Sequence, residues 1–197
     1  MTKTIEFLFD FGSPTSYLAY KRLLQLADTY DARISYVPIL LGGVFKATGN
    51  SSPVMVPAKG AYMLKHDMPR FARRYGVEMN GNPFFPINTL ALMRGAVAAQ
   101  DMGCFDAYAA AVFDAIWAGQ KNMGDPVVAG EIIAAAGIDA QRLLDLAQST
   151  DMKSKLIENT EVAVKRGVFG APTMSIGDEF FFGQDRLDFV EEILAAG

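Results

Sequence analysis

The residue best placed for chemistry in this chain is a serine between an apolar run and a helical pattern. Residues 9–18 read FDFGSPTSYL, in which Ser13 is a good N-cap and Pro14 suits the first helical position. A helix start collects unpaired N–H groups and the positive end of the helix dipole, so an anion such as a thiolate is stabilised there. Ser13 is therefore either a plain helix cap or a cap that also takes part in thiolate chemistry.

Two other residue types limit what Ser13 can do. A serine that attacks as a covalent nucleophile needs a base within hydrogen-bond reach. The only histidine, His66, lies among Lys65, Asp67 and Arg70 on a polar helix face, which is typical of a solvated residue. The only cysteine, Cys104, allows no internal disulfide, no CxxC pair and no cysteine-based zinc site, and we expect no metal. Ser13 is thus better suited to activating a bound thiol than to attacking by itself.

The elements that position this serine follow from the hydrophobic pattern. Residues 5–9 predict a strand buried on both faces, residues 17–30 an amphipathic helix and residues 33–38 a second strand. Residues 41–53 are rich in turn formers and predict a long loop with a binding role. Six helical stretches follow, at residues 58–75, 88–100, 106–118, 126–136, 140–148 and 152–165.

The C-terminal part changes character again. Residues 169–176 predict a strand that follows a proline, Gly177 and Asp178 a turn, and residues 179–182 a paired strand before a terminal helix with Asp185 as its N-cap. The order βαβ, helices, ββα requires one parallel and one antiparallel pair. We therefore predict an α/β fold in which residues 1–57 and 167–197 form a mixed-sheet domain and residues 58–166 an inserted all-helical domain.

Composition narrows the classes of partner. The 197 residues are 51% hydrophobic, with a net charge of −4, a pI of about 5.0 and no dense basic cluster, so we expect a globular protein that does not bind nucleic acid. The first strand begins within a few residues of the N-terminus, and no apolar run is long enough to span a bilayer. We expect a cytoplasmic protein without a signal peptide or membrane segment.

Four sequence blocks carry a family resemblance. The predicted topology, with GAPT before the third strand, resembles a thioredoxin-like fold with a helical insertion, although SPTS stands where redox members have Cys-Pro-x-Cys. Residues 9–19, the pair Gly49-Asn50 with residues 57–62, residues 168–173 and residues 182–187 resemble the kappa-class glutathione transferases and the bacterial 2-hydroxychromene-2-carboxylate isomerases. Residues 84–90 (FFPINTL) favour the isomerase branch, whereas Gly42, Gly43 and residues 57–60 also resemble the transferases.

The resemblance implies a glutathione site. In the family the serine at the helix start is catalytic, so Ser13 is expected to donate its hydroxyl to the glutathione sulfur. Pro172 matches the cis-proline of the fold, and the backbone of Ala171 before it is expected to pair with the cysteinyl part of glutathione. Asp185 can pair with the γ-glutamyl ammonium.

Further residues are expected around these. The family site includes the segment of Phe182, Gly183 and Gln184, whose amides at a helix start can hold the γ-glutamyl carboxylate. Asn50 and Lys59 match positions that hold the glycine end of glutathione in the transferases.

The resemblance also implies a small aromatic carboxylate as substrate. Lys46 is expected to contact the carboxylate, and Asn88 and Thr89 follow the segment where isomerase relatives carry a polar substrate contact. Relatives commonly form homodimers, and the inserted helices offer a surface for that. Trp117 and the aromatic residues before it fall at helical spacing and are interpreted as core.

These expectations leave three functions open. The first is a glutathione-dependent isomerase that interconverts 2-hydroxychromene-2-carboxylate and trans-o-hydroxybenzylidenepyruvate by transient thiolate addition. The second is a kappa-type glutathione transferase or peroxidase, and the third is a thiol- or peptide-binding module without catalysis. Disulfide exchange is excluded, because Ser13 and Ser16 supply no thiolate at the helix start.

Overall fold

A four-stranded mixed sheet forms the centre of the computed structural model, which describes residues 2–196. Its strands are β1 (Thr4–Phe9), β2 (Arg33–Pro38), β3 (Thr173–Ile176) and β4 (Glu179–Phe182), in the order β2-β1-β3-β4. Strand β2 pairs parallel to β1, with Phe7 opposite Tyr36, and β3 pairs antiparallel to both β1 and β4. The predicted mixed sheet is confirmed.

Helices surround this sheet and form most of the chain between β2 and β3. The described residues form ten α-helices: α1 (Pro14–Tyr30), α2 (Leu41–Thr48), α3 (Pro57–Tyr62), α4 (Met68–Tyr75), α5 (Leu90–Asp101), α6 (Phe105–Trp117), α7 (Pro126–Ala135), α8 (Ala140–Ala147), α9 (Thr150–Lys165) and α10 (Leu187–Ala195). One π-helical turn, Met63–Asp67, joins α3 to α4. Within residues 2–196, no helix has both the length and the apolar composition needed to cross a membrane.

Sheet and helices share one apolar core. Phe9 and Phe11, in β1 and just after it, are fully buried, and their rings lie 5.7 Å and 4.6 Å from the ring of Phe113 in α6. The indole Nε1 of Trp117 donates to the carbonyl oxygen of Phe11 at 2.9 Å. Helix α6 therefore packs against the end of β1 and makes a hydrogen bond to the turn that leads to Ser13. The aromatic stripe of α6 is core, as predicted.

The predicted loop at residues 41–53 is wrong over most of its length, since α2 occupies Leu41–Thr48. The backbone N–H of Leu41 donates to the carboxylate of Asp10 at 2.9 Å, and Val44 is buried in a small apolar cluster. A Cβ on Gly43 would lie 3.1 Å from the methyl carbon of Thr160 in α9. The glycine that suggests a turn in the sequence instead allows two helices to approach closely.

Asp185 does not cap the terminal helix, contrary to the sequence prediction. Gly183 has a φ of 97° and precedes a 3₁₀ turn, Gln184–Arg186, which runs directly into α10. The side chain of Asp185 makes no capping hydrogen bond and accepts one from Arg186 Nη1 at 3.0 Å. Helix α5 likewise begins at Leu90, two residues later than predicted, and Asn88 Oδ1 accepts from the Leu90 N–H at 3.1 Å.

Candidate active site at the start of the first helix

Ser13 caps helix α1, as predicted. Its Oγ accepts from the backbone N–H of Ser16 at 3.1 Å, and its own backbone N–H donates to the carbonyl of Asp10 at 3.0 Å. The residue is only 5% exposed, yet it lines a cleft. Its hydroxyl also donates to the carbonyl oxygen of Ala171 at 3.1 Å. The cap is confirmed and Ser13 is also a cleft residue, whereas its part in thiolate chemistry stays a prediction.

The peptide bond between Ala171 and Pro172 is cis, as predicted. The carbonyl of Ala171 faces the start of α1, where it accepts from Ser13 Oγ, and Thr15 Oγ1 lies 3.5 Å from it. The carbonyl of Pro172 accepts from the backbone N–H of Gly183 at 3.0 Å. Within residues 2–196 the N–H of Ala171 donates to no protein group. This edge is free to pair with an extended ligand.

A cleft of about 420 Å³ opens beside these groups. The lining includes polar groups at the start of α1, at Ala171 and from Gly183 to Asp185, which we call the polar end. It also includes an apolar set, which we call the apolar end, formed by Leu41, Phe45, Val54, Met63 and Phe85. Phe169 and Phe182 also line the cleft, with ring centroids 4.6 Å apart. The volume suits a small organic molecule with one polar and one apolar end.

The structure brings most of the predicted ligand-binding residues together. Those that line the cleft are Ser13, Asn50, Ala171, Phe182, Gly183, Gln184 and Asp185. Pro172 is buried and does not itself line the cleft, although Ala171 before it does. Lys46, Lys59 and Asn88 are exposed and do not line the cleft.

Asn50 spans two parts of the cleft wall. Its Nδ2 donates to the carbonyl of Phe169 at 2.9 Å, and its Oδ1 accepts from the N–H of Ser51 at 2.8 Å. Both ends of the side-chain amide are therefore engaged with protein, and Asn50 holds the loop after α2 against the segment before Ala171.

Asp10 is a residue that the sequence reasoning missed. It is 2% exposed, and its Oδ1 accepts from the N–H of Gly12 at 2.9 Å and from Thr89 Oγ1 at 2.7 Å. Its Oδ2 accepts from the N–H of Leu41. Burial raises the pKa of the Asp10 carboxyl, and the three hydrogen bonds oppose this effect. The carboxylate ties the turn before Ser13 to the starts of α2 and α5.

A buried carboxylate needs partners, so a charged residue directly after an apolar strand was an available signal for this network. Thr89 supplies one of these partners through its hydroxyl. Thr89 is 7% exposed and lies against Gly12, where a Cβ would be 3.1 Å from the Thr89 methyl carbon. Its hydroxyl proton is directed to Asp10 and not to the cleft.

The charges around the cleft are few. Among the described residues Asp185 is the one charged side chain in the lining, and no group of three or more His, Cys, Asp or Glu side chains is arranged to hold a metal ion. Ser13 Oγ stands at the positive end of the α1 dipole, so the site can stabilise an anionic sulfur atom that a ligand brings. The apolar end can take an aromatic group.

Comparison with known proteins places the chain in a family. The family described as "DSBA-like thioredoxin domain" matches residues 4–195. The chain is 35% identical to "2-hydroxychromene-2-carboxylate isomerase" of Sphingobium xenophagum, over 98% of this chain and 99% of the relative. It is 28% identical to "Glutathione S-transferase kappa 1" of Rattus norvegicus, over 98% and 91%. A solved structure of "2-hydroxychromene-2-carboxylate isomerase (HCCA isomerase)" superposes with a TM-score of 0.89 at 31% identity, covering 98% of this chain and 95% of that one.

Proposed function

The chain belongs to the DsbA-like thioredoxin-domain family, within the group of the 2-hydroxychromene-2-carboxylate isomerases and kappa-class transferases, and from this premise we propose that it is a glutathione-dependent isomerase of aromatic degradation. The substrate we propose is 2-hydroxychromene-2-carboxylate or a related intermediate, and the product trans-o-hydroxybenzylidenepyruvate. The observation that carries the proposal is the hydroxyl of Ser13, which caps α1 and lies 3.1 Å from the carbonyl before cis-Pro172, at the polar end of the cleft.

The groups in the cleft fit glutathione. The free N–H and the carbonyl of Ala171 suit the cysteinyl backbone, in the manner of an added strand. The Asp185 carboxylate suits the γ-glutamyl ammonium, and the amide of Gln184 suits the γ-glutamyl carboxylate. The Gly183 amide, expected to share this role, is instead engaged with the Pro172 carbonyl. Asn50 borders the cleft where the glycine end would lie.

Opening of the chromene hemiketal, in which the ring C–O bond breaks and the hydroxyl proton passes to the phenol oxygen, gives a conjugated enone. Glutathione, held at Ala171, Gln184 and Asp185, would supply a thiolate that can add to this enone and leave again, so that the carbon–carbon bond can rotate from cis to trans in between. Ser13 assists by donating its hydroxyl hydrogen to the sulfur, and the dipole of α1 favours the negative charge there. Together they lower the thiol pKa below its free value of about 8.5. The apolar end around Phe45 and Phe85 holds the aromatic ring and limits access of water.

The test is the absorbance change of 2-hydroxychromene-2-carboxylate with purified protein, with and without glutathione. Wild type should need glutathione, and Ser13→Ala should lose about 10²- to 10³-fold in kcat, as when a donor to a developing anion is removed. Ser16→Ala is the matched control, because the buried Ser16 Oγ has no hydrogen-bond partner within the described residues and does not line the cleft. Turnover without glutathione, or an unchanged Ser13→Ala rate, would refute the proposal.

A kappa-type transferase or peroxidase is the second candidate. The observation that favours it is the lack of a lysine or arginine among the described residues that line the cleft, which suits an electrophile without a carboxylate. Stoichiometric consumption of the thiol with a neutral aromatic electrophile would identify it. Glutathione binding without turnover, unaffected by Ser13→Ala, would identify the thiol-binding module.

Three further features belong to the same proposal. Residues 58–166 would form an inserted helical domain, and residues 1–57 and 167–197 the thioredoxin-like domain. The protein would act in the cytoplasm as a homodimer. Lys46, Lys59 and Asn88 would serve the substrate and the glycine end of glutathione only through movement of their side chains towards the cleft, since they lie outside its lining.

A further inference from the structure

A second hydroxyl lies beside that of Ser13. Thr15 follows Pro14 at the start of α1, is half-buried and lines the cleft. Its Oγ1 lies 2.9 Å from Ser13 Oγ and 3.5 Å from the carbonyl oxygen of Ala171. Three oxygen atoms therefore meet at the polar end of the cleft, and two hydroxyl protons connect them.

The distances distinguish the two ways to place these protons. In one, Thr15 donates to Ser13 at 2.9 Å and Ser13 donates to Ala171 at 3.1 Å. In the other, Ser13 donates to Thr15 at 2.9 Å and Thr15 must reach Ala171 across 3.5 Å, which is the outer limit of a hydrogen bond. Both arrangements use the 2.9 Å contact, and they differ in the second bond, which is shorter in the first arrangement, so the distances favour Thr15 as the donor to Ser13.

This arrangement fills the acceptor capacity of the Ser13 oxygen. A hydroxyl oxygen has two acceptor sites and one proton to donate. The N–H of Ser16 occupies one site at 3.1 Å, and the hydroxyl of Thr15 occupies the other at 2.9 Å. The Ser13 oxygen can then accept nothing from an S–H group, and the hydroxyl can act towards a ligand only as a donor.

We propose that Thr15 is a positioning residue: it fills the second acceptor site of Ser13, so that Ser13 can meet the sulfur of a bound thiol only by turning its proton from the Ala171 carbonyl to the sulfur, which favours the thiolate form. The inference rests on the proposed function and adds a second residue to it. A donor at the sulfur stabilises the anion, whereas an acceptor there would stabilise the neutral S–H. Without the Thr15 hydroxyl, one acceptor site of Ser13 is open to the S–H group, and the preference for the thiolate weakens. The chain of two hydroxyls also polarises the Ser13 proton.

The variant that tests this is Thr15→Val, which keeps the branched shape and removes only the hydroxyl. Thr15→Ser is the matched control, because it keeps the hydroxyl and loses the methyl group. The charged groups nearest the cleft end, Asp185 in the lining and Asp10 behind Gly12, are the same in both variants. A difference between the variants in thiol ionisation therefore reports on the hydroxyl.

The measurement is the ultraviolet absorbance of the thiolate of protein-bound glutathione as a function of pH. Thr15→Val should raise the thiol pKa by about half a unit to one unit, or about three- to tenfold less thiolate at low pH, the effect of one hydrogen bond. Thr15→Ser should titrate like wild type. S-methylglutathione, which has no thiol to ionise, should bind Thr15→Val as tightly as it binds wild type.

Each of the other outcomes would contradict either the role of Thr15 or the proposed function. If wild type lowers the thiol pKa and Thr15→Val titrates like wild type, Thr15 has no positioning role, although the proposed function stands. If Thr15→Val weakens the binding of S-methylglutathione as well, the residue has a structural role and the inference fails. If glutathione bound to wild type titrates like free glutathione, the proposed function fails and this inference fails with it.

Discussion

Replacing Thr89 with valine removes one hydrogen bond from the buried carboxylate of Asp10 and barely changes the shape of the side chain. The bond is short, at 2.7 Å, and both residues are almost fully buried, so water does not replace it. A hydrogen bond to a charged group contributes about 1.5–3 kcal/mol to stability. We expect Thr89→Val to lower the free energy of unfolding by about 2 kcal/mol, and Tm by about 4–8 °C for a chain of this size.

The loss should depend on pH because it involves an ionisable group. Burial raises the pKa of Asp10 above its ordinary value of 3.8, and the Thr89 hydrogen bond opposes that rise, so the variant has the higher Asp10 pKa. At a pH between the Asp10 pKa of folded wild type and that of the folded variant, the variant binds more protons. Its stability relative to wild type therefore increases as the pH falls. The difference in stability is therefore largest above both pKa values and shrinks as the pH drops through them.

Urea unfolding of wild type, Thr89→Val and Thr89→Ser over a series of pH values is the assay. Thr89→Ser keeps the hydroxyl and loses a methyl group, so it should cost about 1 kcal/mol at every pH. A Thr89→Val loss that is equally pH-independent, or below about 0.5 kcal/mol, would refute the role given to this hydroxyl. If Thr89 instead contacts the substrate, Thr89→Val should raise the KM for the aromatic substrate and leave stability unchanged.

Three further changes test other parts of the structure. Gly183→Ala should weaken glutathione binding by about tenfold, measured by calorimetry, because φ is 97° there and the new Cβ would lie 2.5 Å from Asp185 Oδ1; equal affinity would contradict this. The hydrogen bond from Arg166 holds the Glu6 pKa below its ordinary value of 4.5. The pair therefore stabilises the fold above pH 4.5, and this stabilisation is lost as the pH falls through the lowered pKa. The free energy of unfolding of Glu6→Gln in urea should lack this pH dependence. If wild type and the variant gave parallel curves of unfolding free energy against pH, the pair would contribute nothing. Lys46→Met should weaken the apparent affinity for the chromene carboxylate by about tenfold without changing glutathione affinity, if this lysine reaches the carboxylate; an unchanged KM in a steady-state assay would exclude it.

The sequence predicted the features that short-range patterns determine. The strands are apolar runs, and Ser13 is followed by a proline in a local pattern that specifies a helix cap without reference to the rest of the chain. The mixed character of the sheet, with a parallel and an antiparallel pair, followed from connection rules once the elements were recognised, whereas the strand order was not predicted. Most of the predicted ligand-binding residues came from the family resemblance, and seven of the predicted residues, Ser13 included, line one cleft.

The features that the sequence reasoning missed depend on contacts between distant residues. Helix α2 contains Gly42 and Gly43, whose local preference is for turns, but its start is fixed by Asp10 and its close packing involves Thr160 of α9. Asp10 and Thr89 are 79 residues apart, and nothing in either segment alone indicates that they meet. The sequence pattern did not indicate a role for Thr15, because a threonine in the first turn of a helix is common. Its relation to Ser13 exists only once the cleft is formed.

In the proposed function the thiol comes from a ligand, and the residues at the start of α1 explain why. The chain has one cysteine, Cys104, which is half-buried at the start of α6 and does not line the cleft. At the start of α1, Ser13 and Ser16 stand where redox members of the fold carry cysteines, and neither can become a thiolate. The helix dipole, the cis-proline and the free edge at Ala171 are present, and in the proposed function they would act on a bound sulfur as they would on one of the protein's own. Because that sulfur leaves with its ligand, the site is suited to reversible addition and elimination, and disulfide exchange through the chain's own thiols is excluded there.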